Sequence, residues 1–571
     1  MSFNKDSLLI GEILVDEAVI TSDQLETGLR EQKKTGKFIC QTLVDLGFSA
    51  EEKIFTTLSK QLKIPYLNIK SMEIDRSIIE KVPAKFTSHY RLMPVSLKDK
   101  ILTIVVTDPL DIHTLDDIAL LLGYEIRPVL GGERDILDAV KKYYGIGADT
   151  MERIMAESPH SGESKVSLGS AQDVEELVED ASIIKFVNQI IQQAYQDRAT
   201  DIHIEPYEDE MKVRYRIDGI LYDAAIPPAI KHFQSAIVSR IKIMSNLNIA
   251  ERRLPQDGRI RIKAGADDLD LRVSILPTPY GESVVIRLLT TSLLYSLEDL
   301  GLSQSDLKIL EEMIRRPHGI IFVSGPTGSG KTTTLYACLL KINNKELKIL
   351  TIEDPIEYRL KGVTQTQVHP KIGLTFANGL RSMLRHDPDV MMVGEVRDIE
   401  TAEITIRVAL TGHLVFSTIH TNDAAGAVTR LLDMGIEPYL VASSVECLIA
   451  QRLVRRICPE CKYPVYGKKQ VLLKLGAVNI ADDAVVYEGK GCEACKFTGY
   501  RGRTGIYEFL VMNENVREMV LSLASADQIR KRAVKSGMRI LRQDGVDKVL
   551  KGITTITEVL RVTPDEELPA G

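Results

Sequence analysis

One stretch limits what this chain can fold into more than any other. It is Ile320-Ile321-Phe322-Val323-Ser324-Gly325-Pro326-Thr327-Gly328-Ser329-Gly330-Lys331-Thr332-Thr333. Its apolar opening reads as a buried strand, and Thr333-Thr334-Leu335-Tyr336-Ala337 runs on as a helix. Between them stands Gly-x-x-x-x-Gly-Lys-Thr, a P-loop with the strand before it and the helix after it that the motif requires. The glycines let backbone N–H groups turn inward around phosphates. Lys331 supplies a point charge to the β and γ phosphates, and the Thr332 hydroxyl is placed to ligand Mg²⁺. The expected nucleotide cradle is therefore Gly325, Pro326, Thr327, Gly328, Ser329, Gly330, Lys331, Thr332 and Thr333.

Composition narrows the setting. With 571 residues the chain has room for about three or four domains. The 44% hydrophobic and 26% charged content is that of a globular protein with a packed core. A net charge of −7 lacks the basic footprint of a general nucleic-acid binder. No apolar run approaches the ~20 residues of a membrane span. Asp6, Glu12, Asp16 and Glu17 interrupt the N-terminus, so no signal peptide is expected. These features predict a cytoplasmic protein that meets a membrane only through partners. Four of the seven cysteines form two Cys-x-x-Cys pairs; Cys40, Cys338 and Cys447 read as buried thiols. A reducing compartment favours metal binding over disulfides for the pairs.

Along the chain, residues 1–150 form a first unit of short amphipathic helices followed by a strand at Ile101–Val106, a small α/β or α+β module. It holds a weak repeat: Gly11-Glu12-Ile13-Leu14-Val15-Asp16 through Leu29 and Gln32 resembles Cys40-Gln41-Thr42-Leu43-Val44-Asp45 through Leu58 and Gln61. Residues 151–180, with Glu157-Ser158-Pro159-His160-Ser161-Gly162 at their centre, bury almost nothing and read as a flexible linker that frees the first unit to move. Residues 181–296 open with a helix at Ile183–Arg198. Strands at 201–205, 211–217, 269–275 and 283–289 follow, with a helix near Phe233–Met244 between them. This region is dense in arginine, including Arg214, Arg216 and Arg272. From 297 to 571, strands at 348–353, 390–393 and 414–418 alternate with helices at 375–385 and 399–410. That alternation predicts a parallel sheet covered on both faces, with the ligand at the carboxyl ends of the strands.

Several residues are candidates for chemistry. The apolar strand Val390–Val393 delivers Gly394-Glu395, and a hydrolytic NTPase needs such a carboxylate to order or deprotonate the attacking water. Glu357, in Glu353-Asp354-Pro355-Ile356-Glu357, is a rival or partner at a neighbouring strand end. His413 and His420 bracket the strand Leu414–Thr418, where a histidine could sense the γ-phosphate or contact a neighbouring subunit. Cys458-Pro459-Glu460-Cys461 and Cys492-Glu493-Ala494-Cys495 read as one closed tetrahedral zinc site within an insertion at about 455–507. A redox dithiol is the alternative.

In combination these motifs resemble the secretion ATPases of type II secretion and type IV pilus assembly, the GspE/PilB class. The Walker A box is Gly325–Thr333, the acidic box Thr351–Tyr358, an atypical Walker B Val393–Asp398, and the histidine box Thr411–Ala424. The tetracysteine insertion is similar to that of the assembly and export branch. The resemblance implies a RecA-like P-loop domain at the C-terminus, a PAS-like α+β middle domain and an N-terminal partner-binding module. It implies a homo-hexamer that hydrolyses ATP with Mg²⁺ and holds Zn²⁺, with middle-domain arginines such as Arg214, Arg216 and Arg272 reaching the phosphates. Expected partners are inner-membrane platform and anchor proteins, through which the protein lies at the inner membrane. The N-terminal repeat resembles a cyclic di-GMP module, yet Leu9-Ile10-Gly11 and Phe38-Ile39-Cys40 stand where the first copy usually reads Arg-Leu-Gly. Without those arginines, dinucleotide binding is not expected and a docking role is. Two other functions fit a P-loop chain: a nucleotide-gated scaffold, opposed by intact Glu357 and Glu395, and a RecA-like nucleic-acid translocase, opposed by the acidic balance.

Overall fold

The computed structural model describes residues 5–35, 38–109, 111–157, 181–264, 267–290, 295–475, 481 and 484–563. The chain divides into two compact units, Met1–Leu289 and Thr290–Gly571.

In the first unit the weak repeat becomes two helix pairs, Lys5–Asp16 with Ser22–Thr35 and Ile39–Asp45 with Glu51–Leu62. Their apolar stripes meet in one core holding Ile10, Leu14, Leu25, Leu43, Ile54 and Leu58. A three-stranded sheet follows, in the order β1 (Met93–Lys98), β2 (Ile101–Val106), β3 (Glu125–Leu130). The middle region is α+β, as expected. Its strands are β4 (Ala199–Pro206), β5 (Met211–Ile217), β6 (Ile220–Asp223), β7 (Gln256–Ala264), β8 (Asp267–Thr278) and β9 (Gly281–Thr290). They form one sheet in the order β6-β5-β4-β9-β8-β7. The helices Ala181–Gln196 and Gln234–Met244 bury Phe186, Ile190 and Ile237 with Ile202, Val213 and Leu271 of the strands.

The boundary between these two parts differs from the sequence expectation. Residues 148–157 form a helix, not linker, and Met151 is buried in the middle-region core. The Ile146 N–H donates to Ala225 O at 2.7 Å, tying the entry to that helix to the middle region. Apolar packing by Met151 thus overrides the polar character of the stretch around it. The rest of the expected linker, 158–180, lies outside the described residues.

The second unit is built on a seven-stranded sheet. Its strands are β10 (Gly319–Ser324), β11 (Ile349–Glu353), β12 (Thr364–Gln367), β13 (Val390–Val393), β14 (Leu414–Ile419), β15 (Val445–Ile457) and β18 (Tyr500–Val511), in the order β12-β11-β13-β14-β10-β15-β18. The pair β16 (Lys462–Val465) and β17 (Val486–Gly489) forms a separate small sheet. One strand, β14, separates the P-loop strand β10 from β13, the order that marks a RecA-like nucleotide domain. Residues 320–323 are almost fully buried because cores cover the sheet on both faces. The sheet is parallel from β12 to β15, but the edge is not: β15 and β18 pair antiparallel. The cause is connectivity. The chain leaves β15 into the cysteine lobe and returns from that lobe along β15 in the opposite sense, which gives an antiparallel ribbon.

Candidate functional site

Ser324 ends β10 opposite Ile419, the last residue of β14, and Val393 ends β13 opposite Ser417. The three carboxyl ends therefore emerge together, carrying the P-loop, His420 and Glu395. The P-loop turns sharply: Gly325, Gly328 and Gly330 have φ of 150°, 79° and 87°. A side chain at Gly325 would bring its Cβ within 2.6 Å of Gln451 O and 2.5 Å of Ser329 Oγ. The backbone there lies flush against its neighbours, as a loop that wraps phosphates must. Lys331 and Thr332 begin the helix Lys331–Ile342, so its N-terminal N–H groups and positive dipole end face the loop. The Lys331 Nζ donates to Gly325 O at 2.8 Å and Pro326 O at 3.1 Å. Burial pulls the Lys331 pKa down, to about 8; the Glu395 carboxylate opposes the shift and the Arg452 guanidinium adds to it. The half-buried Thr332 hydroxyl is available at the helix start for a divalent cation.

Glu395 is held by the chain leaving β13. The Ser417 hydroxyl donates to Val393 O and the Thr418 hydroxyl to Gly394 O, both at 2.8 Å. A Cβ at Gly394 would lie 3.3 Å from Glu353 Cα and from Ile352 O, which explains glycine before this acid. The Glu395 carboxylate meets Arg397 Nη2 at 2.6 Å and His420 Nε2 at 3.3 Å. Glu353, in contrast, is 2% exposed and fully engaged. It accepts from the Tyr336 hydroxyl, from Thr351 Oγ1 at 2.5 Å and from Gln365 Nε2 at 3.1 Å. Burial pushes its carboxyl up. These partners make Glu353 a framework residue. Glu357 is half-buried beyond it, with its N–H donating to the Tyr336 hydroxyl at 3.4 Å.

The two expected histidines do not share a site. His413 precedes β14 and His420 follows it, so the full strand separates them. His413 Nδ1 lies 2.9 Å from Val408 O and 3.1 Å from Thr411 Oγ1, at the amino end of the sheet. Of the two, His420 is the one that reaches Glu395. The middle-region arginines lie in the other unit. Arg214 donates to both Glu205 oxygens, at 2.6 and 2.8 Å, while Arg216 Nη1 donates to Gly219 O at 3.1 Å. Arg272 is half-buried on β8, opposite Arg259 on β7. Gln451 and Arg452 of β15 were not anticipated at the P-loop. The Thr334 hydroxyl donates to Gln451 Oε1 at 2.7 Å, and Arg452 is buried beside Gly325. Their only sequence signal is a polar pair inside an otherwise apolar run, Cys447–Val454.

The two Cys-x-x-Cys pairs meet. The Sγ atoms of Cys458, Cys461, Cys492 and Cys495 lie within 4.8 Å of one another. The Cys458–Cys492, Cys492–Cys495 and Cys461–Cys495 separations are 3.7, 3.7 and 3.8 Å. Tetrahedral thiolates ~2.3 Å from a zinc ion stand about 3.8 Å apart, so the donor set fits zinc. Burial opposes the Cys495 thiolate, but N–H groups of Cys492 and Gly499 donate to its Sγ at 3.1 and 3.3 Å and hold its pKa down to about 7. Among the described residues no helix is long and apolar enough to cross a membrane.

Two outcomes follow from this geometry. Phosphate favours the Lys331 ammonium, so ATP binding should take up a proton above about pH 8, and affinity should fall as pH rises through that value. Calorimetry in buffers of different ionisation enthalpy reads the uptake directly; no uptake at pH 8.5 contradicts it. Cys461→Ser, or a strong chelator, should remove one bound zinc per chain and lower the melting temperature by several degrees. Equal metal content in variant and parent contradicts a four-cysteine site.

Comparison with known proteins agrees with this site. The family described as "Type II/IV secretion system protein" matches residues 176–561, and a family described as "MshEN domain" matches residues 62–150. The type IV pilus assembly ATPase PilB of Myxococcus xanthus is 43% identical over 567 residues, covering 97% of this chain and 99% of that protein. Type II secretion system protein E of Xanthomonas campestris is 41% identical over 563 residues, covering 97% and 98%. Type II secretion system ATPase E of Vibrio cholerae is 41% identical over 497 residues, covering 86% and 98%. With a P-loop, a strand-end glutamate and a matching domain across most of its length, the chain belongs to the type II/IV secretion system protein family of ATPases.

Proposed function

We propose that this ATPase is a homo-hexameric motor that builds a pilus or pseudopilus at the inner membrane, in type IV pilus extension or type II protein secretion. One observation carries the hydrolytic part of that reading: Lys331, Glu395 and His420 stand at neighbouring carboxyl ends of one parallel sheet. In this reading the P-loop holds the triphosphate of ATP and Thr332 a Mg²⁺ ion, which neutralises charge on the β and γ phosphates. Glu395 orders the attacking water and takes its proton, His420 holds that carboxylate in place, and Glu357 lies in reserve at the next strand end. His413, at the far end of β14, serves contacts between subunits. Arg214, Arg216 and Arg272 reach the phosphates from the middle domain; for Arg214 this requires exchanging its Glu205 partner. Zinc at Cys458, Cys461, Cys492 and Cys495 is structural, because all four positions are protein ligands.

The domain assignment belongs to the same proposal. Residues 1–150 dock partners, 181–296 form the arginine-rich middle domain and 297–571 the ATPase domain. The N-terminal module binds inner-membrane platform and anchor proteins and does not bind cyclic di-GMP, because Leu9 and Phe38 occupy the places of arginines. Nucleic acid is not a partner. The pilus and secretion relatives match at 43% and 41% identity, so the sequence favours neither machine.

The test is phosphate release by the purified chain with three variants. Lys331→Ala should abolish ATP binding. Glu395→Gln should lower turnover by about 10²-fold or more while ATP still binds. Glu357→Gln should have the smaller effect. Full turnover in Glu395→Gln removes it as the base, and no phosphate release from the parent removes the motor reading in favour of a nucleotide-gated scaffold.

A further inference from the structure

The loop that carries His420 is held by two buried charges from the antiparallel edge ribbon. Arg452 is 7% exposed and Glu508 is 3% exposed. Arg452 pairs with Ile506 across the ribbon and Ala450 pairs with Glu508, so the register places both charged side chains on the same face. From there Arg452 Nη2 donates to Asn422 O at 2.8 Å, and it lies 3.4 Å from Asn422 Oδ1. Glu508 Oε1 accepts the Ala424 N–H at 2.9 Å. Ala424 is the first residue of the helix Ala424–Asp433, so the carboxylate satisfies an N–H that the helix itself leaves without a partner. Arg452 also reaches the P-loop side. Its Nη1 donates to Gln451 O at 3.1 Å, the same carbonyl that lies 2.6 Å from where a Gly325 Cβ would stand.

Buried charges cost several kcal/mol unless their partners are well placed. Here one partner of Arg452, Asn422 O, belongs to the loop that follows β14, and that loop begins with His420. Gln451, on the opposite face of β15, bonds Thr334 of the P-loop helix. Strand β15 thus meets the helix that follows the phosphate loop with one face and the histidine loop with the other.

We propose that Arg452 and Glu508 are positioning residues for hydrolysis, clamping loop 420–424 at Asn422 in its middle and at Ala424 where it enters the helix, so that His420 stays against Glu395. The proposal rests on the hydrolytic reading of the P-loop site. Its logic is entropic. A five-residue surface loop samples many conformations, and fixing Asn422 and Ala424 within it restricts where the imidazole can point. Arg452 acts through His420 and does not itself touch the reacting atoms, so its removal should impair turnover and leave ATP binding largely alone.

A double-mutant cycle on the full chain tests this by steady-state phosphate release. Arg452→Gln and His420→Ala should each lower kcat about tenfold or more, with KM for ATP within about twofold of the parent. Because both act through one loop, the double variant should be no slower than the slower single variant. Losses that multiply, a loss expressed in KM, or an unchanged kcat in either single variant overturns the clamp. Where Arg452→Gln melts below the assay temperature, Arg452→Lys and Glu508→Gln replace it in the cycle under the same criteria. A parent that releases no phosphate overturns the hydrolytic reading itself; a parent that turns over with multiplying losses overturns the clamp alone.

Discussion

Everything at this site depends on the register of three parallel strands. Ser324 of β10 lies opposite Ile419 of β14, and Ser417 of β14 lies opposite Val393 of β13. That pairing delivers the phosphate loop, His420 and Glu395 to one edge of the sheet, although they are separated by about a hundred residues of chain. The register is specified by burial. All residues of these strands are buried, so a one-residue slip would exchange the contacts of every side chain with the two covering cores. The hydroxyls of Ser417 and Thr418 then fix the first turn beyond β13, turning register into the position of one carboxylate.

The second constraint is the ribbon β15–β18. It lines the P-loop at Gln451 and Arg452, then continues past the sheet to Ile457 and the first cysteine of the cluster. Its far end is braced by Arg455, which donates to Glu558 at 2.8 Å and lies 4.0 Å over the Tyr500 ring. Burial opposes the Glu558 carboxylate, yet hydrogen bonds from Arg561 and Arg455 hold its pKa down to about 2. The ribbon therefore links the four-cysteine lobe and the C-terminal helices to the wall of the P-loop site.

Much of this was legible in the sequence. The P-loop between a strand and a helix, Glu395 just beyond a strand and the meeting of the two Cys-x-x-Cys pairs are local patterns whose places in the fold follow from spacing. The helix Ile399–Leu410 and the strand Met211–Ile217 have the predicted bounds because their periodicity is unbroken. What escaped depended on long-range pairing. The antiparallel edge, the roles of Gln451 and Arg452 and the clamp from Glu508 arise only when residues some sixty apart meet across a ribbon. The helix Ala148–Glu157 was hidden because its sequence neighbours are polar, and among its described residues only Met151 brings a large apolar side chain to the core. His413 and His420 bracket β14 as expected, and of the two only His420 lies at the end that carries the P-loop and Glu395.

The most direct test of the account is a structure of the full chain with Mg²⁺ and a non-hydrolysable ATP analogue. The account predicts the triphosphate on the backbone of Gly325–Thr333, Mg²⁺ at Thr332, and the γ-phosphate on the side of Glu395 and His420, with His413 remote. A nucleotide bound elsewhere, or a γ-phosphate that cannot be joined to Glu395 through a single water, would contradict it.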